Sequence, residues 1–228
     1  MVRKSLLIKF LTIIPARKNS QRIKRKNIFK IKNKELIKYT IEAAIKSNQR
    51  KNIWISSDDE KVKTISEKYK LNFFQRSKKN STSTASTEDV IEEFLIKKYG
   101  NNYEKIVKNI ILLQPTSPLR TGKHIKEAIK YFINKKYDSI FSGFISKEFI
   151  WKNENKLKSL SYNYKNRRIS QKLKNLIFEN GAIYIFSSKG FKKRKNRLFG
   201  KIGLFKMKKS ISIDIDTIED IELLKKII

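Results

Sequence analysis

Cysteine is absent from this chain of 228 residues, and histidine occurs once, at His124. The first absence excludes disulfides and thiolate metal sites. The second all but excludes a serine–histidine couple or a histidine-rich metal site, which leaves carboxylates, amides, lysines and arginines to carry any chemistry. Acids are scarce too: 21 Asp and Glu stand against 54 Lys and Arg, a formal charge of +33. An excess of that size suggests a nucleic acid or another anionic surface as partner. Its distribution argues otherwise, because the lysines are spread over the expected solvent faces of helices and mixed with Asn and Ile, neither gathered in a block nor interleaved with aromatics. No specific nucleic-acid partner is expected, only salt-sensitive binding to polyanions.

Long apolar runs are also missing, and nothing approaches the roughly 20 residues of a membrane span. The early apolar stretch is interrupted by Lys9, has no small-x-small cleavage site after it and feeds into a patterned motif. It is expected to be a first strand rather than a leader, in a protein that is cytoplasmic and makes no membrane contact. Proline occurs three times, at Pro15, Pro115 and Pro118, each time at the end of a predicted buried strand. Open α/β sheets place their ligands at such ends. The clearest case is residues 106–113, an apolar, β-branched run too short for a helix, which stops at Gln114-Pro-Thr-Ser-Pro-Leu-Arg120.

In chain order, strands are expected at 11–14, 52–56, 71–74 and 106–113. Helices alternate with them: one over 34–46, one with Val62, Ile65 and Tyr69 inward, one opened by an N-cap near Thr87, and one through Ile125, Ala128 and Ile133. That alternation predicts an α/β fold with a mixed, mainly parallel sheet flanked by helices, in a single domain spanning 1–228. From 139 to 174 the rhythm breaks into short β-like pieces and a basic stretch, an excursion suited to a partner subunit or to covering a substrate. A buried strand returns at 180–186, and a helix closes the chain at 218–227.

Two stretches suggest chemistry. The polar loop 15–27 is rich in Lys and Arg, with Ser20 and Asn27 as neutral donors; it has the make-up of an anion cradle but lacks the glycines of a Walker loop or a dinucleotide fingerprint. In Ile211-Ser-Ile-Asp-Ile-Asp-Thr217 the alternation puts Asp214 and Asp216 on one side of a strand, about 7 Å apart. Such a pair repels unless a cation lies near, and a divalent metal is one reading. The other is that Asp216 or Thr217 caps the last helix while Asp214 is merely exposed.

Residues 14–20 with Lys26 and Asn27, the 112–120 block, Asn180-Gly-Ala-Ile-Tyr184 and Asp214-Ile-Asp-Thr217 together resemble the cytidylyltransferases that make CMP-sialic acid and related CMP-nonulosonic acids. The resemblance runs in order from about Leu11 to Ile228. It implies a glycosyltransferase-A-like, Rossmann-type nucleotidyltransferase fold with a seven-stranded mixed sheet. It also implies a homodimer whose excursion reaches the partner's site, and the reaction of CTP with a nine-carbon, sialic-acid-like 2-keto sugar acid. Arg17 and Lys26 would then handle the triphosphate, and Asn27, Arg76 and Thr87 the ribose and cytosine. Gln114, Asn180, Tyr184 and Lys152 would face the sugar acid, while Asp214 and Asp216 bind Mg²⁺, with Asp216 as the base. Two departures stand out: Ser83 occupies the place of a usual Asp, and no Arg-Gln-x-Leu-Pro precedes Asn180. The sugar carboxylate therefore falls to Arg168, with Arg167 in reserve.

Three rivals are kept in view: a ketodeoxyoctonate cytidylyltransferase, a basic nucleic-acid-binding protein and an inactive homologue. Salt separates the second from the rest. If the +33 charge acts only through counterion release, binding to random DNA should fall by orders of magnitude, about 10³-fold or more, between 50 and 200 mM salt. Binding that persists at the higher salt would point to a dedicated nucleic-acid surface.

Overall fold

The structure, a computed structural model, describes residues 7–48, 50–167 and 169–228. Its elements run in order through β1 (Ile8–Pro15), the short β2 (Lys30–Ile31) and β3 (Lys34–Glu35), α1 (Leu36–Ser47), β4 (Ile53–Ser57), α2 (Glu60–Lys68), β5 (Asn72–Gln75) and α3 (Thr87–Tyr99). There follow β6 (Val107–Leu112), α4 (Gly122–Asn134), β7 (Ser139–Ser146), β8 (Trp151–Glu154), β9 (Lys156–Ser159), β10 (Leu176–Ser187), α5 (Ser188–Arg194), β11 (Ile202–Lys206) and α6 (Ile218–Ile227). Seven strands form one sheet in the order β11-β7-β10-β6-β1-β4-β5. All neighbours pair in parallel except β10, which is antiparallel to both β6 and β7.

Strand β1 shows why the sheet has helices on both faces. Phe10 and Ile14 point into one core with the inner sides of α1, α2 and α4, whereas Leu11 and Ile13 point into a second core with α3 and α5. A strand covered on both sides reads as a near-continuous apolar run, as 11–14 does with only Thr12 polar. A smaller third core gathers Ile23 from the loop after β1, Leu36 from α1, Ile215, and Ile221 and Leu224 from α6. It pins the end of the chain against the first loop. No helix among the described residues is long and apolar enough to cross a membrane.

The strand-helix alternation expected up to α4 is present, and four local expectations are corrected. Residues 211–217 do not form a strand: 209–211 is a 3₁₀ turn, and beyond it the one backbone bond to another segment is from Ile215 N to Thr116 O, at 2.8 Å. The alternation there reflects burial of Ile213 and Ile215 in the third core, while the sheet edge beside β7 is taken by β11. Strand β11 itself was not foreseen, since Gly203 breaks its pattern; that glycine is needed because a Cβ would stand 2.6 Å from the Tyr137 ring. The stretch 139–146 is not part of an excursion but the sheet strand β7, and only the hairpin β8–β9 and its flanks leave the sheet. At α3 the cap is Ser86, one residue before Thr87, in a capping box with Asp89.

Helix α6 shows which of Asp216 and Thr217 caps it. Thr217 is its N-cap, accepting from Asp220 N, while the Asp220 carboxylate accepts from the backbone of Asp216 and Thr217. The Asp216 side chain is thus free of capping duty. Replacing Thr217 by Ala is expected to cost about 1 kcal/mol, read as a lower urea midpoint at unchanged slope. An unchanged midpoint would show that the cap contributes nothing.

Candidate active site

The C-terminal ends of β1, β5 and β6 open onto a cleft of about 550 Å³, lined by Arg17, Ser20, Arg22, Lys26, Asn27, Arg76, Ser86, Thr87, Glu88, Gln114, Arg197, Asp214 and Asp216 among others. This is the position where open α/β sheets bind ligands. Every nucleotide-side and metal residue expected from the sequence lies in it.

Its basic wall is pre-ordered. Asn27 is buried and donates to Arg17 O at 2.8 Å, Lys18 N donates to Asp58 at 2.7 Å, and Arg25 pairs with both oxygens of buried Asp59 at 3.1 Å. The loop after β1 is therefore fastened to the β4–α2 turn without using Arg17 or Lys26. Arg17 reaches across the cleft to the carbonyl of Ser83 at 3.1 Å, a contact that does not involve the Ser83 side chain. Arg76 is buried and donates through Nε to Ser56 O and Oγ. Burial pulls its pKa down to about 10, partly countered by the Asp58 charge, so it remains cationic at neutral pH.

The two carboxylates meet this wall. Lys26 Nζ donates to Asp216 Oδ1 at 2.8 Å and to Ile215 O at 2.7 Å, while Arg22 pairs with Asp216 Oδ2 at 3.1 Å. Asp214 is reachable by water from the cleft, but the surrounding walls strip part of its hydration. That loss raises its pKa, Asp216's charge adds to the rise, and a Thr116 hydrogen bond opposes it. Among the described residues no group of three or more acidic or histidine side chains could hold a metal alone. Two carboxylates facing a cationic wall offer the oxygen donors that Mg²⁺ takes, since that ion is bound through one or two carboxylates plus substrate phosphates.

The far wall is built around the bulge of β10. Arg120, fully buried, donates Nη1 to Gln114 O at 3.2 Å and to Ala182 O at 3.1 Å, tying the proline-rich loop to β10. Among the described residues it has no carboxylate partner, and burial lowers its pKa to about 9. Asn180 is buried and occupied: its Oδ1 accepts from Ser142 Oγ at 2.7 Å and its Nδ2 donates to Ser212 Oγ at 2.8 Å. Tyr184 is buried as well, its hydroxyl donating to Glu179. Burial and that bond raise its pKa, so it stays protonated. Neither side chain lines the cleft; both shape its wall from behind. Lys152 sits on exposed β8, paired with Glu154 at 2.6 Å and away from the cleft lining. Arg168 lies outside the described residues, and Arg167 stacks on Phe149, 4.4 Å from the ring centroid.

Sequence reasoning missed Arg22, Glu88 and Arg197. Arg22 belonged to a loop recognised only as a whole. Glu88 and Arg197 lie 109 residues apart yet bond at 2.6 and 2.9 Å, and neither lies in a motif that would single it out. Burial would lower the Arg197 pKa, but the Glu88 bonds outweigh it and hold the group above its ordinary value.

Gly181 fixes the geometry between Gln114 and Asp214. Its φ is +67°, and a Cβ there would lie 2.6 Å from Gln114 Oε1 and 3.8 Å from Asp214 Oδ2. Gly181→Ala should cost about 1–2 kcal/mol through its left-handed backbone and displace Gln114, lowering turnover by about 10²-fold. Denaturation and steady-state rates at wild-type values would contradict that geometry.

A family model described as cytidylyltransferase matches residues 11–227. An N-acylneuraminate cytidylyltransferase from Streptococcus agalactiae serotype V is 31% identical over 223 residues, covering 93% of this chain and 52% of that protein. The chain thus spans about half the length of the first relatives it matches. A pseudaminic acid cytidylyltransferase from Campylobacter jejuni is also 31% identical, over 96% of this chain and 95% of its own length. Among solved structures, a CMP:2-keto-3-deoxy-manno-octonic acid synthetase complexed with CTP aligns with a TM-score of 0.66 over 96% of this chain and 98% of that one, at 15% identity, a likeness of fold.

Proposed function

We propose that the chain, which belongs to the cytidylyltransferase family, transfers CMP from CTP to the anomeric 2-hydroxyl of a nonulosonic, sialic-acid-like sugar acid and releases pyrophosphate. The observation that carries the reading is the meeting of Arg17, Lys26 and Arg76 with Asp214 and Asp216 in one cleft at the strand ends. The relatives named for N-acylneuraminate and pseudaminic acid support the acceptor class. Likeness to the octonic acid synthetase is one of fold and gives the rival acceptor no comparable support.

In this mechanism Arg17 and Lys26 bind the triphosphate, with Ser20 as a further donor, and Asn27, Arg76 and Thr87 hold ribose and base. Lys26 exchanges Asp216 Oδ1 for a phosphate oxygen, so the nucleotide itself frees that oxygen of the carboxylate while Arg22 stays on Oδ2. Asp216 then takes the proton from the 2-hydroxyl as its oxygen bonds to the α-phosphorus and the bond to pyrophosphate breaks. We assign Mg²⁺ as cofactor, held by Asp214 and Asp216 and neutralising charge on the phosphates when bound. Gln114 faces the acceptor, with Asn180 and Tyr184 fixing the wall behind it.

A homodimer is part of the proposal. Trp151, Leu157, Leu160, Ile169 and Ile177 are exposed on the excursion and its flanks, Leu157 at 68%, an apolar surface suited to a second copy. Lys152 would then act on the partner's acceptor. CTP as donor fits a cytoplasmic setting.

The test is pyrophosphate release from CTP and Mg²⁺ with sialic, legionaminic, pseudaminic and ketodeoxyoctonic acids in turn. One nonulosonic acid is expected to be turned over, and Asp214→Asn and Asp216→Asn each to lower kcat by about 10²-fold or more. Turnover of ketodeoxyoctonic acid alone would transfer the assignment to the rival, and turnover of none would contradict it.

A further inference from the structure

Four of the five cations lining the cleft, Arg17, Arg22, Lys26 and Arg76, stand on the loops that follow β1 and β5. The fifth, Arg197, comes from the segment between α5 and β11, on the opposite half of the sheet. It is held as no other cleft cation is. Nε and Nη2 form two parallel bonds to Glu88 in the first turn of α3, at 2.6 and 2.9 Å, and the guanidinium lies over the Tyr184 ring, 5.0 Å from its centroid. The two side chains are only 18% and 21% exposed. Tyr184 is itself fixed through Glu179. Nη1, by contrast, has no hydrogen-bond partner among the described residues and is not sealed from solvent.

A planar guanidinium locked on two sides with one donor pair open is a directed hydrogen-bond donor. Its charge is already matched by Glu88, and Asp214 also lines this cleft. A second carboxylate arriving here would face those acids, whereas an uncharged oxygen would not. The triphosphate therefore belongs toward the four-cation half, and the acceptor's carboxylate away from Arg197.

We propose that Arg197, oriented by Glu88 and Tyr184, determines acceptor specificity by donating from Nη1 to an uncharged oxygen, a hydroxyl or acyl carbonyl, on the sugar acid; this rests on the cytidylyl-transfer reading above. A site that offers a fixed, mostly enclosed donor rejects analogues lacking the matching acceptor more strongly than a purely apolar pocket can. Nonulosonic acids differ in such hydroxyl and acylamino groups.

The experiment is steady-state kinetics of the full chain with saturating CTP and Mg²⁺, using the acceptor that the wild type turns over and an analogue of it lacking the acyl group or hydroxyl. Arg197→Gln should raise the acceptor KM roughly 10- to 150-fold, as for a lost hydrogen bond involving a charged group, and leave the CTP KM within about twofold. The wild type should discriminate against one analogue, and Arg197→Gln should lose that discrimination. Glu88→Gln, which keeps the shape of the wall, should raise the acceptor KM less, through loss of orientation. An unchanged acceptor KM in Arg197→Gln overturns this inference alone, as does discrimination that survives in that variant. A lower acceptor KM in Glu88→Gln also overturns it, because relief of charge would mean that Arg197 binds the carboxylate. A wild type that transfers CMP to no acceptor would overturn the functional reading and this inference with it.

Discussion

Lys26 and Asp216 form an ion pair across 190 positions of sequence, and the site depends on that closure. It joins the loop after the central strand to the segment before the last helix, so the cations of the first loop and the acidic pair share one cleft. The apolar part of the join is the third core, where Ile23 and Leu36 meet Ile215, Ile221 and Leu224. Packing sets the position, and the lysine, only 12% exposed, sets the electrostatics. Because Lys26 also bonds to Ile215 O, it remains anchored when a phosphate competes for its charge.

The sheet supplies the rest of the geometry. Parallel strands β1, β4, β5 and β6 end on the same edge, which brings Arg17, Arg76 and Gln114 together although they are far apart in sequence. Antiparallel β10 then contributes a different surface: its bulge puts Gly181 beside Gln114 and Asp214, and buried Arg120 and Asn180 clamp the bulge to the proline-rich loop, to β7 and to the segment at Ser212. The cleft thus has one half lined by Arg17, Arg22, Lys26 and Arg76 and another in which Arg197 is matched by Glu88.

What could be read from the chain alone follows from these causes. Strands 11–14 and 106–113 were legible because burial on both faces leaves mostly apolar runs, interrupted only by Thr12 and by Lys108-Asn109, and the basic loop and Asp214/Asp216 were legible because their chemistry is local. The strand expected at 211–217 was a misreading: alternation records burial on one side, and the third core provides that for Ile213 and Ile215 without a ladder partner. Strand β11 escaped because Gly203 accommodates Tyr137 at the expense of pattern. Arg197 and Glu88 were invisible for a different reason, since their importance arises only when α3 and the segment after α5 meet. Asn180 and Tyr184 were located by resemblance, but their place behind the cleft wall required coordinates.

The central claim is that the bond broken lies between the α- and β-phosphorus positions of CTP. The most direct measurement follows CTP labelled at the α-phosphorus, with Mg²⁺ and the accepted sugar acid, and identifies the labelled product. The account predicts that the α-label appears covalently linked to the sugar acid while label placed at the β-position leaves as pyrophosphate. Recovery of the α-label only as free CMP or CDP, or transfer of the γ-phosphoryl group to the acceptor, would contradict it.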